Sequence, residues 1–345
     1  MTSPEPVLPA DAGDLLVSIV VIGRNEGIRI AQCLESVQAM VRDNFTIELI
    51  YVDSGSVDAS VALAAERGAS VIALKPKHPT AALGRNTGWR AANGSVILFL
   101  DGDTILHPRF VADCLAEFRV PEVAVVWGHR RELYPERSLY NRILDLDWIY
   151  RPGPTPYCGG DALFRRSVLE RTGGFDEKLI AGEEPELCWR IAALGFVILH
   201  VDHPMTGHDL ASTRWRQYWK RATRAGHAYA EVADRFRATS QPLWSEESRR
   251  NRNRALLILA ACLGGFFGSI LLASLLPTAL VCALFVTLAI RSAWRARWKS
   301  SDPITLSLYG AHSLIEQIPI YCGQLQYWWN RRRGKRSTLL EYKEM

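Results

Sequence analysis

Residues 96–103 read Val96-Ile97-Leu98-Phe99-Leu100-Asp101-Gly102-Asp103, five apolar residues followed by two carboxylates one residue apart. The run has the length of a strand and does not alternate, as expected of a parallel strand covered by helices on both faces. Comparable β-branched and apolar runs occur at residues 16–22, 47–52, 70–74, 123–127 and 196–201, separated by helix-length stretches. Alternating strands and helices predict an α/β sheet with parallel strands. Ligands of such sheets bind beyond the carboxyl ends of the strands. The residues there are polar: Gly23-Arg24-Asn25-Glu26, Asp53-Ser54-Gly55-Ser56 and Asp101-Gly102-Asp103. Asp101 and Asp103 place two hard oxygen ligands where a divalent cation can bridge them to a diphosphate. No G-x-G-x-x-G follows the first run and no G-x-x-x-x-G-K-S/T occurs, which argues against a dinucleotide dehydrogenase and a P-loop enzyme.

The composition agrees with a large folded chain: 345 residues, 48% hydrophobic and 22% charged, outside the range of disordered, collagen-like or disulfide-scaffold sequences. The net charge of +5 is unevenly spread, with the acidic excess before residue 200 and the basic excess after it. The seven cysteines form no C-x-x-C pair and are expected to be reduced, in a cytoplasmic setting. Residues 1–14 have neither a basic start nor an apolar core, so no secretory signal is expected there.

From residue 255 to 290 the chain carries no charge over 36 residues, where about 20 would span a bilayer. Arg249, Arg250, Arg252 and Arg254 precede this segment, and Arg291, Arg295, Arg297 and Lys299 follow it. Basic residues on both flanks place both in the cytoplasm. A membrane hairpin is therefore expected, turning near Ser274 with Pro277 opening its second leg; one long tilted helix is the alternative. Residues 304–330 carry Tyr309, Tyr321, Tyr327, Trp328 and Trp329 and lead to Arg331, Arg332, Arg333, Lys335 and Arg336, the pattern of an interfacial helix with a tail held by anionic lipid. Beside apolar segments, lipid explains this basic cluster more simply than nucleic acid does. The expected organisation is an N-terminal segment over 1–15, a catalytic domain over 16–240, a membrane hairpin over 241–300 and an interfacial helix with a basic tail over 301–345.

From about residue 17 to 236 the sequence resembles the family 2 glycosyltransferases of GT-A fold. The motifs that carry the resemblance are Ser18-Ile19-Val20-Val21-Ile22-Gly23-Arg24-Asn25-Glu26, Val52-Asp53-Ser54-Gly55-Ser56-Val57-Asp58, Gly84-Arg85-Asn86-Thr87-Gly88 and the D-x-D at Asp101 and Asp103. They continue with Gly159-Gly160-Asp161, Gly173-Gly174-Phe175-Asp176 and Gly182-Glu183-Glu184-Pro185-Glu186-Leu187. The resemblance implies a nucleotide-sugar donor and inverting transfer. It implies that Asp53 bonds the base, that Glu26 lines the nucleotide pocket and that Arg85 holds the nucleotide. Asp101 would lie near the ribose and diphosphate, and Asp103 would ligate manganese or magnesium, with His208 completing the metal site as in some relatives. Gly160 and Asp161 fall on the acceptor side.

Inversion requires a carboxylate to take the acceptor hydroxyl's proton while the nucleoside diphosphate leaves from the opposite face. Glu184 is the candidate base, standing where the family has Asp; the extra methylene leaves neighbouring Glu183 as the other candidate, and an acidic helix start is the structural alternative for both. Processive members carry Q-x-x-R-W, and the Gln is missing three residues before Arg214, so addition of one sugar is expected. Trp215, Tyr218, Trp219, Ala222, Gly226 and Tyr229 line one helical face among Arg214, Arg216, Lys220, Arg221 and Arg224, either to meet a lipid-linked acceptor at the membrane or to pack on the protein. The expectation is thus an enzyme at the cytoplasmic face of the inner membrane, acting on a lipid-linked or saccharide acceptor in surface or exopolysaccharide synthesis. A polyprenyl-phosphate glycosyltransferase, a nucleotidyltransferase and an inactive membrane scaffold are the alternatives.

Overall fold

The computed structural model describes residues 15–239 and 242–334. The segment 1–14 and the tail residues Lys335 and Arg336 lie outside the described residues. Two compact units are present, one formed by 15–133 with Trp148–Asp209, the other by Tyr134–Asp147 with 210–334.

The first unit contains β1 (Leu15–Gly23), α1 (Ile28–Gln38), β2 (Phe45–Asp53), α2 (Ser60–Glu66), β3 (Ser70–Ala73), α3 (Ala81–Ala91), β4 (Val96–Asp101), β5 (Thr104–Leu106), α4 (Phe110–Cys114) and β6 (Val123–Glu132). Between β6 and the rest of that unit the chain forms α5 (Leu139–Asp145), which belongs to the second. The first then continues with β7 (Gly153–Thr155), β8 (Ala162–Arg165), α6 (Arg166–Thr172), α7 (Glu183–Ala193) and β9 (Val197–His208). The sheet order is β3-β2-β1-β4-β8-β6-β9-β5, with β7 also on β9. The six strands read from the sequence share one direction, but four-residue β8 runs antiparallel between β4 and β6. β5 and β7 also run antiparallel to β9, so the sheet is mixed rather than wholly parallel; sequence reading misses these strands because three or four residues are too few to show a period. Val17, Ile19, Val20, Val21 and residues 96–100 are all buried, which explains their unbroken apolar character.

In the second unit, α8 (Trp215–Arg235) is followed by α9 (Ser245–Leu271), α10 (Leu276–Ala296), α11 (Pro303–Ile315) and α12 (Gln317–Arg332). The helix breaks at Ala273, whose φ is +46°, so the uncharged run is two helices rather than one, and Pro277 opens the second. Ser269 and Thr278 bond across the break at 2.9 Å. Both helices are long and apolar enough to cross a membrane. The aromatic region expected as one helix is two, α11 and α12, divided at Glu316. Tyr309 donates to Asp147 (2.9 Å) and Tyr327 to Asp234 (2.6 Å), while Trp329 remains exposed.

α8, placed by sequence within 16–240, packs on α12. A Cβ on Gly226 would lie 1.9 Å from the Ile320 carbonyl oxygen, and one on Gly323 would lie 2.0 Å from that of Thr223. The two backbones approach through these glycines, so the apolar face of α8 is partly occupied. Beside this contact His312 is buried, its Nδ1 2.8 Å from the Tyr218 hydroxyl and its Nε2 3.3 Å from Glu316 Oε2 and 3.6 Å from Asp147 Oδ2. Burial alone lowers the imidazolium's pKa, but Asp147 and Glu316 outweigh it and hold the group above its ordinary value. Burial pushes the Glu316 carboxyl up to about 7.

Gly226→Leu should destabilise the protein by at least about 1–3 kcal/mol, the usual cost of overpacking, lowering its melting temperature. Gly264, with nothing within 4 Å of its Cβ position, should accept alanine with no loss. Equal melting temperatures for the two variants would contradict the close approach. Both raised pKa values mean that the folded state holds more protons than the unfolded state. The Glu316 penalty develops between about pH 4.5 and 7, and the His312 contribution is lost as pH rises beyond 6.5 through its raised value. Between pH 5 and 7 the melting temperature should therefore fall relative to that of Glu316→Gln, which lacks this penalty; a constant difference across that range would contradict the buried carboxyl.

Candidate active site

Asp101 and Asp103 leave β4 at the carboxyl edge of the sheet. Antiparallel pairing of Thr104 with His208 brings the end of β9 beside them. The His208 Nε2 lies 3.3 Å from Asp103 Oδ2, and both side chains are buried. Ligand atoms of Asp101, Asp103 and His208 all fall within 4.8 Å of one another. Ligands at about 2.1 Å from one ion are separated by about 3 to 4 Å, so the three side chains would need to close only slightly, and two carboxylates with an imidazole suit a divalent cation such as manganese better than magnesium. The residues present therefore fit a divalent cation.

Asp101 also joins a second cluster. Arg85, on α3, is almost wholly buried; its Nη2 lies 3.0 Å from Asp101 Oδ1, and its Nη1 is 3.0 Å from both Glu183 Oε1 and Glu184 Oε1 at the start of α7. Burial would lower the pKa of this guanidinium, but Glu184, Asp101 and Glu183 outweigh that and raise it. Gly160 makes the assembly possible, because a Cβ there would lie 2.5 Å from Arg85 Nη2 and 3.0 Å from Asp101 Oδ2. Asp161, wholly buried, accepts from the Asp101 backbone N–H (2.9 Å) and the Thr206 hydroxyl (2.8 Å). Burial raises its pKa despite Arg130 nearby.

Arg130 was not singled out by sequence. Its Nη2 lies 3.5 Å from Asp101 Oδ2, its Nε lies 3.8 Å from Asp161 Oδ2, and its guanidinium sits 4.8 Å over the Trp148 ring. Trp148 in turn meets His208 edge-on, with centroids 5.0 Å apart. Register shifts in the β6–β9 pairing around His129 and Arg130 re-aim this side chain, so strand alternation could not place it. The cluster holds Asp101, Asp103, Asp161, Glu183 and Glu184 against Arg85 and Arg130.

The remaining predicted residues end β1 and β2. Asp53 is buried and accepts from the backbone N–H groups of Gly55 (2.9 Å) and Ser56 (2.8 Å), the Tyr51 hydroxyl (3.0 Å) and the Ser56 hydroxyl. Its carboxylate thus shapes its own turn. Asn25 ties this turn to the loop after β1, donating from its backbone to Ser56 Oγ (2.8 Å) and accepting from Val57 N–H (2.9 Å). Glu26 pairs with Arg29 at 2.9 Å and borders Gly102.

Residues 18–173 match Glycosyl transferase family 2, and residues 96–296 match Glycosyl transferase family group 2. The chain is 26% identical over 241 residues to the probable glycosyltransferase YdaM of Bacillus subtilis, covering 64% of this chain and 57% of that protein. It is 26% identical over 256 residues to the pre-mycofactocin glycosyltransferase of Mycobacterium tuberculosis, covering 70% and 53%. It thus spans little more than half the length of these curated relatives. The structure is similar to the mannosyltransferase PcManGT of Pyrobaculum calidifontis, solved with GDP-Man and Mn2+, at a TM-score of 0.65 and 19% identity, covering 91% of this chain and 87% of that one. With one match extending over more than half of its residues, the chain belongs to glycosyl transferase family group 2, and its fold is the GT-A fold.

Proposed function

We propose that the protein is a membrane-attached, metal-dependent, inverting glycosyltransferase that moves one sugar from a nucleotide-sugar donor to a lipid-linked saccharide at the cytoplasmic face of the inner membrane, in surface or exopolysaccharide assembly. The observation that carries this reading is the shared position of Asp101, between the Asp103–His208 ligand set and the Arg85–Glu183–Glu184 cluster. A donor site and a candidate base thus meet at one side chain.

Asp101, Asp103 and His208 would hold the cation, which supplies Lewis acidity at the diphosphate. Glu184, oriented by Arg85 and less buried than Glu183, takes the proton of the acceptor hydroxyl. The hydroxyl oxygen forms the new glycosidic bond as the bond to the nucleoside diphosphate breaks on the opposite face. Arg85 and Arg130 place positive charge beside Asp101, where the leaving group's charge develops. Gly160 and Asp161 form the wall proposed for the acceptor side; Asp53 and Glu26 frame the proposed nucleotide pocket. The paired helices α9 and α10, with apolar side chains exposed along both, support attachment to a bilayer, and arginines at both outer ends support a cytoplasmic catalytic unit. Transfer to a polyprenyl phosphate is the second reading; Arg130 favours it, since a guanidinium beside Asp101 also suits a phosphate acceptor.

Nucleoside diphosphate release by the detergent-purified protein, measured across nucleotide sugars with manganese or magnesium, tests the reaction. One donor should give release that a chelator abolishes and Asp103→Ala removes. Glu184→Gln should retain donor binding while acceptor-dependent turnover falls by about 10²- to 10⁴-fold, the usual contribution of a general base. Full turnover in Glu184→Gln would move the base assignment to Glu183 or indicate a phosphate acceptor, which needs no proton removed. No release and no donor binding by calorimetry would leave a scaffold, and a polymeric product would overturn single-sugar transfer.

A further inference from the structure

The first turns of α9 read Glu246-Glu247-Ser248-Arg249-Arg250-Asn251-Arg252-Asn253-Arg254 and end where the uncharged run begins. A cavity of about 320 Å3 lies against them, lined by Glu246, Arg249, Arg250, Asn253, Arg254 and Leu257. That volume is at the lower end for small-molecule sites. Its lining changes character along the helix, from three guanidinium groups and an amide to the apolar side chain of Leu257. Arg254 is within electrostatic reach of Arg250 on its own helix and of Arg295 on α10, with Glu316 as the opposing charge. Glu246 approaches Arg249 only to 3.9 Å, an exposed pair that contributes little. The cavity therefore keeps a positive excess at the border between a charged and an uncharged stretch of one helix.

We propose that this cavity binds the phosphodiester headgroup of an anionic phospholipid. The arginines contact the phosphate oxygens, for which the planar guanidinium offers paired donors, and Leu257 meets the glycerol where the acyl chains begin. A free phosphate would satisfy the arginines but make no use of Leu257 or of the cavity's place beside the apolar run. The proposal rests on the membrane reading of α9 and α10 and gives that attachment a preferred lipid.

The test uses the full-length chain in detergent and reads the thermal shift with short-chain phosphatidylglycerol, short-chain phosphatidylcholine or inorganic phosphate. Phosphatidylglycerol should stabilise it most. The combined Arg249→Gln, Arg250→Gln and Arg254→Gln variant should lose that preference, and Arg254→Gln alone should raise the half-saturating lipid concentration about fivefold, the contribution of one basic residue at an anionic surface. The single variant keeps the test open if the triple one does not fold. Combined Arg42→Gln, Arg109→Gln and Arg119→Gln, exposed arginines of the first unit whose loss removes the same charge away from the membrane segments, should keep the preference. Equal stabilisation by inorganic phosphate, or equal loss in this control, would overturn the lipid assignment. Flotation with vesicles of phosphatidylcholine alone separates the two levels: a chain that does not float refutes the membrane reading, whereas one that floats without a phosphatidylglycerol preference refutes only the headgroup site.

Discussion

A single buried guanidinium organises the catalytic unit. Arg85 projects from α3 and touches Asp101 at the end of β4 and Glu183 and Glu184 at the start of α7, so one side chain ties three separate elements together. A buried charge is expensive unless it is paired, and three carboxylates around one guanidinium are mutually repulsive without it. Each partner is therefore held by the others' need for neutralisation. The same contact fixes how close the Gly159-Gly160 segment can come, because any Cβ at Gly160 would occupy the space of the Arg85–Asp101 pair.

Much of this was legible in the sequence, for identifiable reasons. Strands buried on both faces show as unbroken apolar runs, and the polar residues that end them mark the ligand edge. Asp101 and Asp103 could be read directly as candidate cation ligands, and the resemblance added His208, which the β5–β9 pairing brings within contact distance of Asp103. Arg130 was not legible, because its orientation depends on bulges in the β6–β9 ladder that no alternation pattern encodes. The motif at Asp53 is legible, but nothing in it signals that four donors converge on this carboxylate, three from its own turn and one from Tyr51.

The C-terminal helices show a similar division. Hydropathy and Pro277 revealed a hairpin, since charge-free length and a helix-initiating proline are local properties. The packing of α8 on α12 was hidden, because glycines carry almost no hydrophobic signal. Gly226 was counted as one position of an amphipathic face, yet its function in the packing is to be absent as a side chain, admitting the Ile320 backbone. Contacts made by removing atoms leave no periodic trace. Trp215, on the same helix, stays half exposed.

The balance of charge at the site has a consequence for donor binding. Five carboxylates stand against two guanidinium groups, so a bare diphosphate entering there meets a net repulsion that becomes stronger as water is excluded. Arg85 cannot relieve it alone, since its fork is already committed to Asp101, Glu183 and Glu184. A divalent cation held by Asp101, Asp103 and His208 would cut that excess from three negative charges to one and put positive charge where a diphosphate would bind. On the proposed function, the acidic excess would favour a metal-bound diphosphate over a free anion.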